Sequence, residues 1–355
     1  MSALTDRSDR PVVRAPAPAR RPGAGLGARR HVAALAASVA VAAAALPLGS
    51  HFSLLGAPII ALVLGAAVAT VRPVPAWRGA LGAGSRYVLQ LAIVVLGATI
   101  SLPQVLRVGG SSLPVLVGSL TAALLAAQLL GRGLEVPDRL RVLIGVGTGI
   151  CGASAIAAVS KVVDARERDI RYAISTIFAF NLLAALIFPP LGHLLGMSQH
   201  AFGLWAGTAV NDTSSVVATA FAYGHSAGTY AVIVKLTRTA AIVPVSLWLA
   251  AAALRRAPQP GEPRLATPRR ALRHVVPWFL LWFLAASAIN SLVGLDAATR
   301  TGLSHAGLAL TTLALAAVGL SSNFGELRRT GPRPLALGAL VWATVTGVSL
   351  ALQGL

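Results

Sequence analysis

The sequence predicts an all-α, polytopic membrane protein with about ten to eleven membrane-embedded helices, some broken or re-entrant and related as inverted repeats. Composition is the first reason. Of 355 residues, 55% are hydrophobic and only 12% charged, with a mean hydropathy of +0.74, whereas soluble domains carry roughly a quarter charged residues. The second is uninterrupted apolar length. Residues 112–130, 275–293 and 334–352 contain no charge, and each can cross a hydrocarbon core of roughly 30 Å as a helix. They also lack the polar stripe of a soluble core helix. The third is internal repetition, taken up below.

Residues 1–30, rich in Arg, Pro, Ala and Gly, read as a disordered basic cytoplasmic tail. Residues 31–48 could be the apolar part of a signal peptide, since Arg29 and Arg30 precede them. A retained first helix is the preferred reading, because the next span follows after a very short turn. The remaining spans are expected at 52–71, 87–106, 112–130, 140–160, 172–195, 203–222, 229–254, 275–293, 302–320 and 334–352. One long, Pro-containing loop, 255–274, is read as cytoplasmic. Residues 31–355 are therefore expected to form one membrane transporter domain.

Two pairs of segments repeat. Gly147-Thr-Gly-Ile-Cys-Gly-Ala-Ser-Ala-Ile-Ala-Ala158 aligns with Gly207-Thr-Ala-Val-Asn-Asp-Thr-Ser-Ser-Val-Val-Ala218. Residues 97–109 align with 319–331, which sets Gln104 opposite Glu326 and Arg107 opposite Arg329. If the tail is inside and both Gly-Thr segments re-enter, 26 of the 30 Lys and Arg fall on the cytoplasmic side, as the positive-inside rule requires. Full crossing of both segments lowers that number to 22. Re-entry also makes the two copies approach from opposite faces, as inverted repeats do. Re-entrant or broken helices are therefore expected.

The net charge of +19 lies in loops between apolar spans, so a nucleic-acid partner is not expected; the lipid bilayer is. One cysteine, Cys151, excludes an internal disulfide framework, and the seven histidines have no metal-ligand spacing. No cofactor is expected.

Buried charge is the chemical signal. Of the eleven acidic residues only Asp212 lies inside an apolar segment, and of the basic ones only Lys235 and Arg238. Each costs roughly 2.5–3.5 kcal/mol at mid-bilayer on insertion scales. One reading is an ion pair that fixes helix packing. The other is a binding site in which the trio's net positive charge meets an anion. Lys235 and Arg238 are three apart and share a helix face. The Gly-Thr segments contribute Thr148, Ser154, Asn211, Thr213, Ser214 and Ser215, and half-helix N-termini there would offer free N–H groups to an anion. Small-residue packing is the bland alternative. Asn181 and Asn290 could line the same path or bond a neighbouring helix.

Residues 149–158, 202–218 and 234–239 resemble the YeiH-type family of bacterial membrane proteins, described as sulfate exporters. The resemblance covers essentially everything after the tail. Members commonly carry His or Asn before the aspartate, and Asn211 fits. It implies a multi-pass cell-membrane protein of about ten to eleven helices. The segment pair at Gly97 and Gly319 also resembles the glycine-containing helix of bile-acid and arsenite transporters, which implies a core moving against a scaffold.

The expected function is secondary transport of a small anion, with sulfate or a sulfonate implied by the family. No nucleotide-binding motif is present, so energy must come from an ion gradient or a partner; an oligomer is possible. The alternative is a cation/proton antiporter using Asp212 as ion site. An intramembrane enzyme has no support, because neither a His–Glu zinc pair nor a Ser–His–Asp arrangement is found.

Overall fold

A computed structural model describes residues 24–51, 56–71, 75–254, 278–322 and 331–354. Among these the chain is helical, without a strand. The helices are α1 (Ala24–His51), α2 (Gly56–Val71), α3 (Pro75–Gly97), α4 (Leu102–Gly133), α5 (Asp138–Gly149), α6 (Ala153–Val162) and α7 (Glu167–Leu194). They continue as α8 (Gln199–Ala209), α9 (Thr213–Tyr223), α10 (His225–Ala240), α11 (Ile242–Leu254), α12 (Trp278–Val293), α13 (Ala297–Ser321) and α14 (Pro332–Ala351). Among the described residues, seven helical stretches are long and apolar enough to cross a membrane. The chain is a multi-pass membrane protein.

Several boundaries move from those expected. Helix α1 begins at Ala24, inside the stretch read as tail. The rest of the tail, the 255–274 loop and Glu326 lie outside the described residues. Helix α3 stops at Gly97 and α4 starts at Leu102, where Pro103 occupies the first turn, the position at which proline costs no backbone bond. The spans expected at 140–160 and 203–222 are each split in two.

Two packed bodies organise these helices. In the first, α13 lies against α2 and α3, with α1 over α2 and α13. Helices α2 and α13 meet at Gly65 and Gly319: a Cβ on Gly65 would stand 2.6 Å from the Ala316 carbonyl, and one on Gly319 would fall on the Leu62 carbonyl. Small residues are what allow backbones to approach so closely in a membrane. In the second body α10 packs on α8 and α9, and α4 on α5 and α14. Its apolar centre includes Phe188 stacked on Trp205 at 4.0 Å, and Trp205 Nε1 donates to the Thr346 carbonyl at 3.3 Å. The bodies touch where α9 meets α2 and α13.

Candidate functional site

Helices α5 and α6 are separated by residues 150–152, and α8 and α9 by residues 210–212. The repeat alignment sets Gly149 opposite Ala209 and Ala153 opposite Thr213, so both copies stop and restart at matching positions. Each copy is a hairpin. Arg139, at the start of α5, pairs with Asp164, just past α6, at 3.3 Å, whereas a continuous helix would separate them by roughly 38 Å. At the second hairpin Gln199 donates to the Tyr223 carbonyl at 3.3 Å and accepts from the Ala227 N–H at 3.0 Å. Helix α7 joins the two mouths and, at 28 residues, is about 42 Å long. The hairpins therefore enter from opposite faces. They re-enter, as the charge distribution suggested.

The tips are tied together by α10. Lys235 Nζ donates to the Ile150 carbonyl at 3.0 Å and the Val210 carbonyl at 2.9 Å. Arg238 Nε donates to the Gly149 carbonyl at 2.7 Å, and its two terminal nitrogens donate to the carbonyls of Thr148 and Thr208. Ile150 and Val210 are matched in the repeat, as are Thr148 and Thr208. Each cation thus grips equivalent atoms of both copies. The last carbonyls of a helix have no intrahelical partner and carry the negative end of its dipole. At membrane depth no water replaces those partners, and Lys235 and Arg238, 0% and 1% exposed, supply them.

Asp212 forms no ion pair with Lys235 or Arg238 among the described residues, so the packing ion pair that one reading of the buried charges offered is not found. Its carboxylate caps α9, accepting from the Ser214 N–H at 2.9 Å and from the Ser214 hydroxyl. Asn181, from α7, accepts the backbone N–H groups of Asn211 and Asp212 at 3.0 and 3.1 Å. Asn181 therefore holds the second tip. Its place there was not legible from spacing, because its partners are backbone atoms.

The other expected residues divide. Thr148, Asn211, Ser214 and Ser215 are buried and Thr213 is half-buried. Ser154 is exposed, one residue into α6 and on the face away from the packed core, so it is not enclosed with the others. The Thr148 hydroxyl and both polar atoms of the Asn211 amide have no hydrogen-bond partner among the described residues. Gly152 was not singled out, yet it starts α6 at φ 67°, a left-handed backbone that favours glycine. A Cβ there would lie 3.8 Å from the Asn211 carbonyl group. The signal was available: aligned with Asp212, Gly152 is where the two copies differ in charge.

The sequence pattern of one family, described as Conserved hypothetical protein 698, matches residues 33–338. The chain belongs to that family. Its relatives within Conserved hypothetical protein 698 include the UPF0324 membrane protein of Streptococcus mutans, 42% identical over 316 residues, covering 87% of this chain and 92% of the relative. A UPF0324 membrane protein of Fusobacterium nucleatum is 37% identical over 327 residues, covering 86% and 92%. One from Streptococcus agalactiae is 38% identical over 318 residues, covering 87% and 92%. No solved structure matches the chain. The resemblance to the YeiH-type family stands, since this is the same family.

Proposed function

We propose that the protein is a secondary transporter of a small anion in the cell membrane, with its substrate site at the two hairpin tips and sulfate or a sulfonate as the substrate. One observation carries this reading. Four half-helix ends meet at the tips, and three have a side chain of opposite sign. Lys235 and Arg238 serve the C-terminal ends of α5 and α8, and Asp212 serves the N-terminal end of α9. The fourth, the N-terminal end of α6, has Gly152 in the place of the aspartate and receives no side-chain cap. A helix N-terminus attracts negative charge. The matched aspartate gives the template: a carboxylate-sized oxyanion at α6 would stand as the Asp212 carboxylate stands at α9. The buried Asn211 amide, beside Gly152 and without a partner, adds hydrogen-bonding capacity. Broken helices that meet near the bilayer midplane are a recurrent arrangement for such sites in secondary transporters.

The test is binding, then flux. Purified protein is heated with a panel of oxyanions and with sodium, since a ligand of the folded state raises its stability. Sulfate or a sulfonate is expected to raise the melting temperature, and labelled sulfate to accumulate in proteoliposomes under an ion gradient. Stabilisation by sodium and by no anion would overturn the reading in favour of a cation/proton antiporter using Asp212.

A further inference from the structure

A polar cavity opens at the mouth of the second hairpin, far from the tips. It encloses about 200 Å³ where α8 and α10 begin, α3 gives way to α4, and α13 starts. That is room for several waters or one small ion with part of its shell. Arg300, His200, His225, Gln104, Thr229 and Ser304 supply its polar groups, and among the described residues no carboxylate lines it. The contrast with a cavity on the opposite face is informative, because that one sets Glu135 and Asp169 among Arg168 and Arg333. The Arg300 guanidinium uses one nitrogen on the Leu295 carbonyl at 3.1 Å, which leaves the rest of its fork for another acceptor. The acid nearest in sequence, Asp296, is engaged by its own helix. It accepts from the N–H groups of Ala298 and Thr299 at 3.1 Å and from the Thr299 hydroxyl. Those bonds, from Thr299 foremost, hold its carboxyl below the usual carboxylate range, so it stays ionised and committed to the start of α13. His200 stands 5.1 Å from the Tyr230 ring, and His225 5.7 Å from Phe221. These ring contacts fix the two imidazoles at the rim.

We propose that this mouth is a second oxyanion site, a vestibule that takes a free anion from solution through Arg300, His200, His225 and Gln104. It rests on the transport reading only in what it is for; its binding stands or falls alone. The same chemistry would also accept a lipid phosphate, and the proposal is for the free ion. The experiment uses purified full-length protein in detergent, treated with the arginine reagent phenylglyoxal in sodium sulfate or in sodium chloride of equal ionic strength. Modification is read at each arginine by peptide mass spectrometry. Arg107, exposed near the start of α4 and not lining the cavity, is the internal reference. Sulfate is expected to slow modification of Arg300 several-fold and leave Arg107 unchanged. His225→Gln should weaken that protection, and Gly152→Asp at the distant tip should leave it intact. Equal slowing at both arginines would overturn the vestibule, as would protection that appears only when phosphatidylglycerol is added to the micelles. Protection lost while sulfate still stabilises the fold would sink the vestibule alone. Protection kept, with sulfate stabilising Gly152→Asp by as much as it stabilises the parent, would sink the tip site alone.

Discussion

Lys235 and Arg238 are the most consequential side chains in the chain, and their partners change what their removal should do. Read as anion ligands, they could be replaced by methionine with loss of binding only. Bonded as they are to five carbonyls of the hairpin tips, they hold the fold. An unpaired buried carbonyl costs about 1–3 kcal/mol. Lys235→Met, which strands two, should therefore destabilise the protein by roughly 2–5 kcal/mol, seen as a lower melting temperature without any ligand. Arg238→Lys should recover only part of what Arg238→Met loses, because an ammonium does not reproduce a planar fork reaching three acceptors. An unchanged melting temperature in both methionine variants would refute the capping role. Gly152→Asp tests the anion reading at the same scale. Its Cβ has room, with nothing closer than Ile177 Cγ2 at 3.4 Å, but φ 67° with ψ −128° lies outside the left-handed well that aspartate tolerates, so the substitution also strains the backbone. The variant should melt below the parent without ligand and gain less stability from sulfate than the parent gains, since its carboxylate would occupy α6 as Asp212 occupies α9. Retained stabilisation would place the anion elsewhere.

The hairpins show what was legible and what was not. Their positions were, because two copies of a Gly-Thr pattern and the distribution of Lys and Arg both pointed to re-entry. The stop and restart of each helix were not, since Gly147 and Gly207 themselves remain helical and each break comes three residues later. Small residues there serve packing instead: a Cβ on Gly207 would meet the Val234 side chain at 2.7 Å. The partners of Lys235, Arg238 and Asn181 were invisible for a related reason, as backbone carbonyls and N–H groups leave no mark in a sequence. Sidedness is directly testable. In a Cys151→Ala background, Leu195→Cys and Glu167→Cys place single thiols at the two ends of α7. Leu195→Cys should react with an impermeant maleimide added to intact cells, and Glu167→Cys only after the membrane is opened. Labelling of both from the same side would contradict hairpins entering from opposite faces; reversal of the two would keep the hairpins and invert the charge-based orientation.

At the scale of the whole molecule, one body holds the hairpins and α10, and the other, built around α13, meets it through α9 and through α12, which packs on both α3 and α4. Asp212 caps the N-terminal end of α9, and the later residues Ala218 and Ala222 of the same helix pack against α2 and α13. The arithmetic of the three embedded charges bears on coupling. With Asp212 ionised, the trio carries one net positive charge. With Asp212 protonated it carries two, which balances a dianion such as sulfate. On the proposed transport reading, a dianion held at the tips and a proton on Asp212 would favour each other to the same degree. Proton and anion should then move together, with flux rising as the pH of the loading side falls. Asp212→Asn fixes the neutral form, and the asparagine side-chain oxygen can still accept from the Ser214 N–H, so α9 keeps a cap of nearly equal strength. The expected variant melts close to the parent, binds sulfate as well or more tightly, and no longer responds to pH in stabilisation assays. Its flux should become independent of the proton gradient. If Asp212→Asn instead loses sulfate binding altogether, or the parent binds a sodium ion that the variant does not, the carboxylate is a cation site and the protein exchanges a cation for protons.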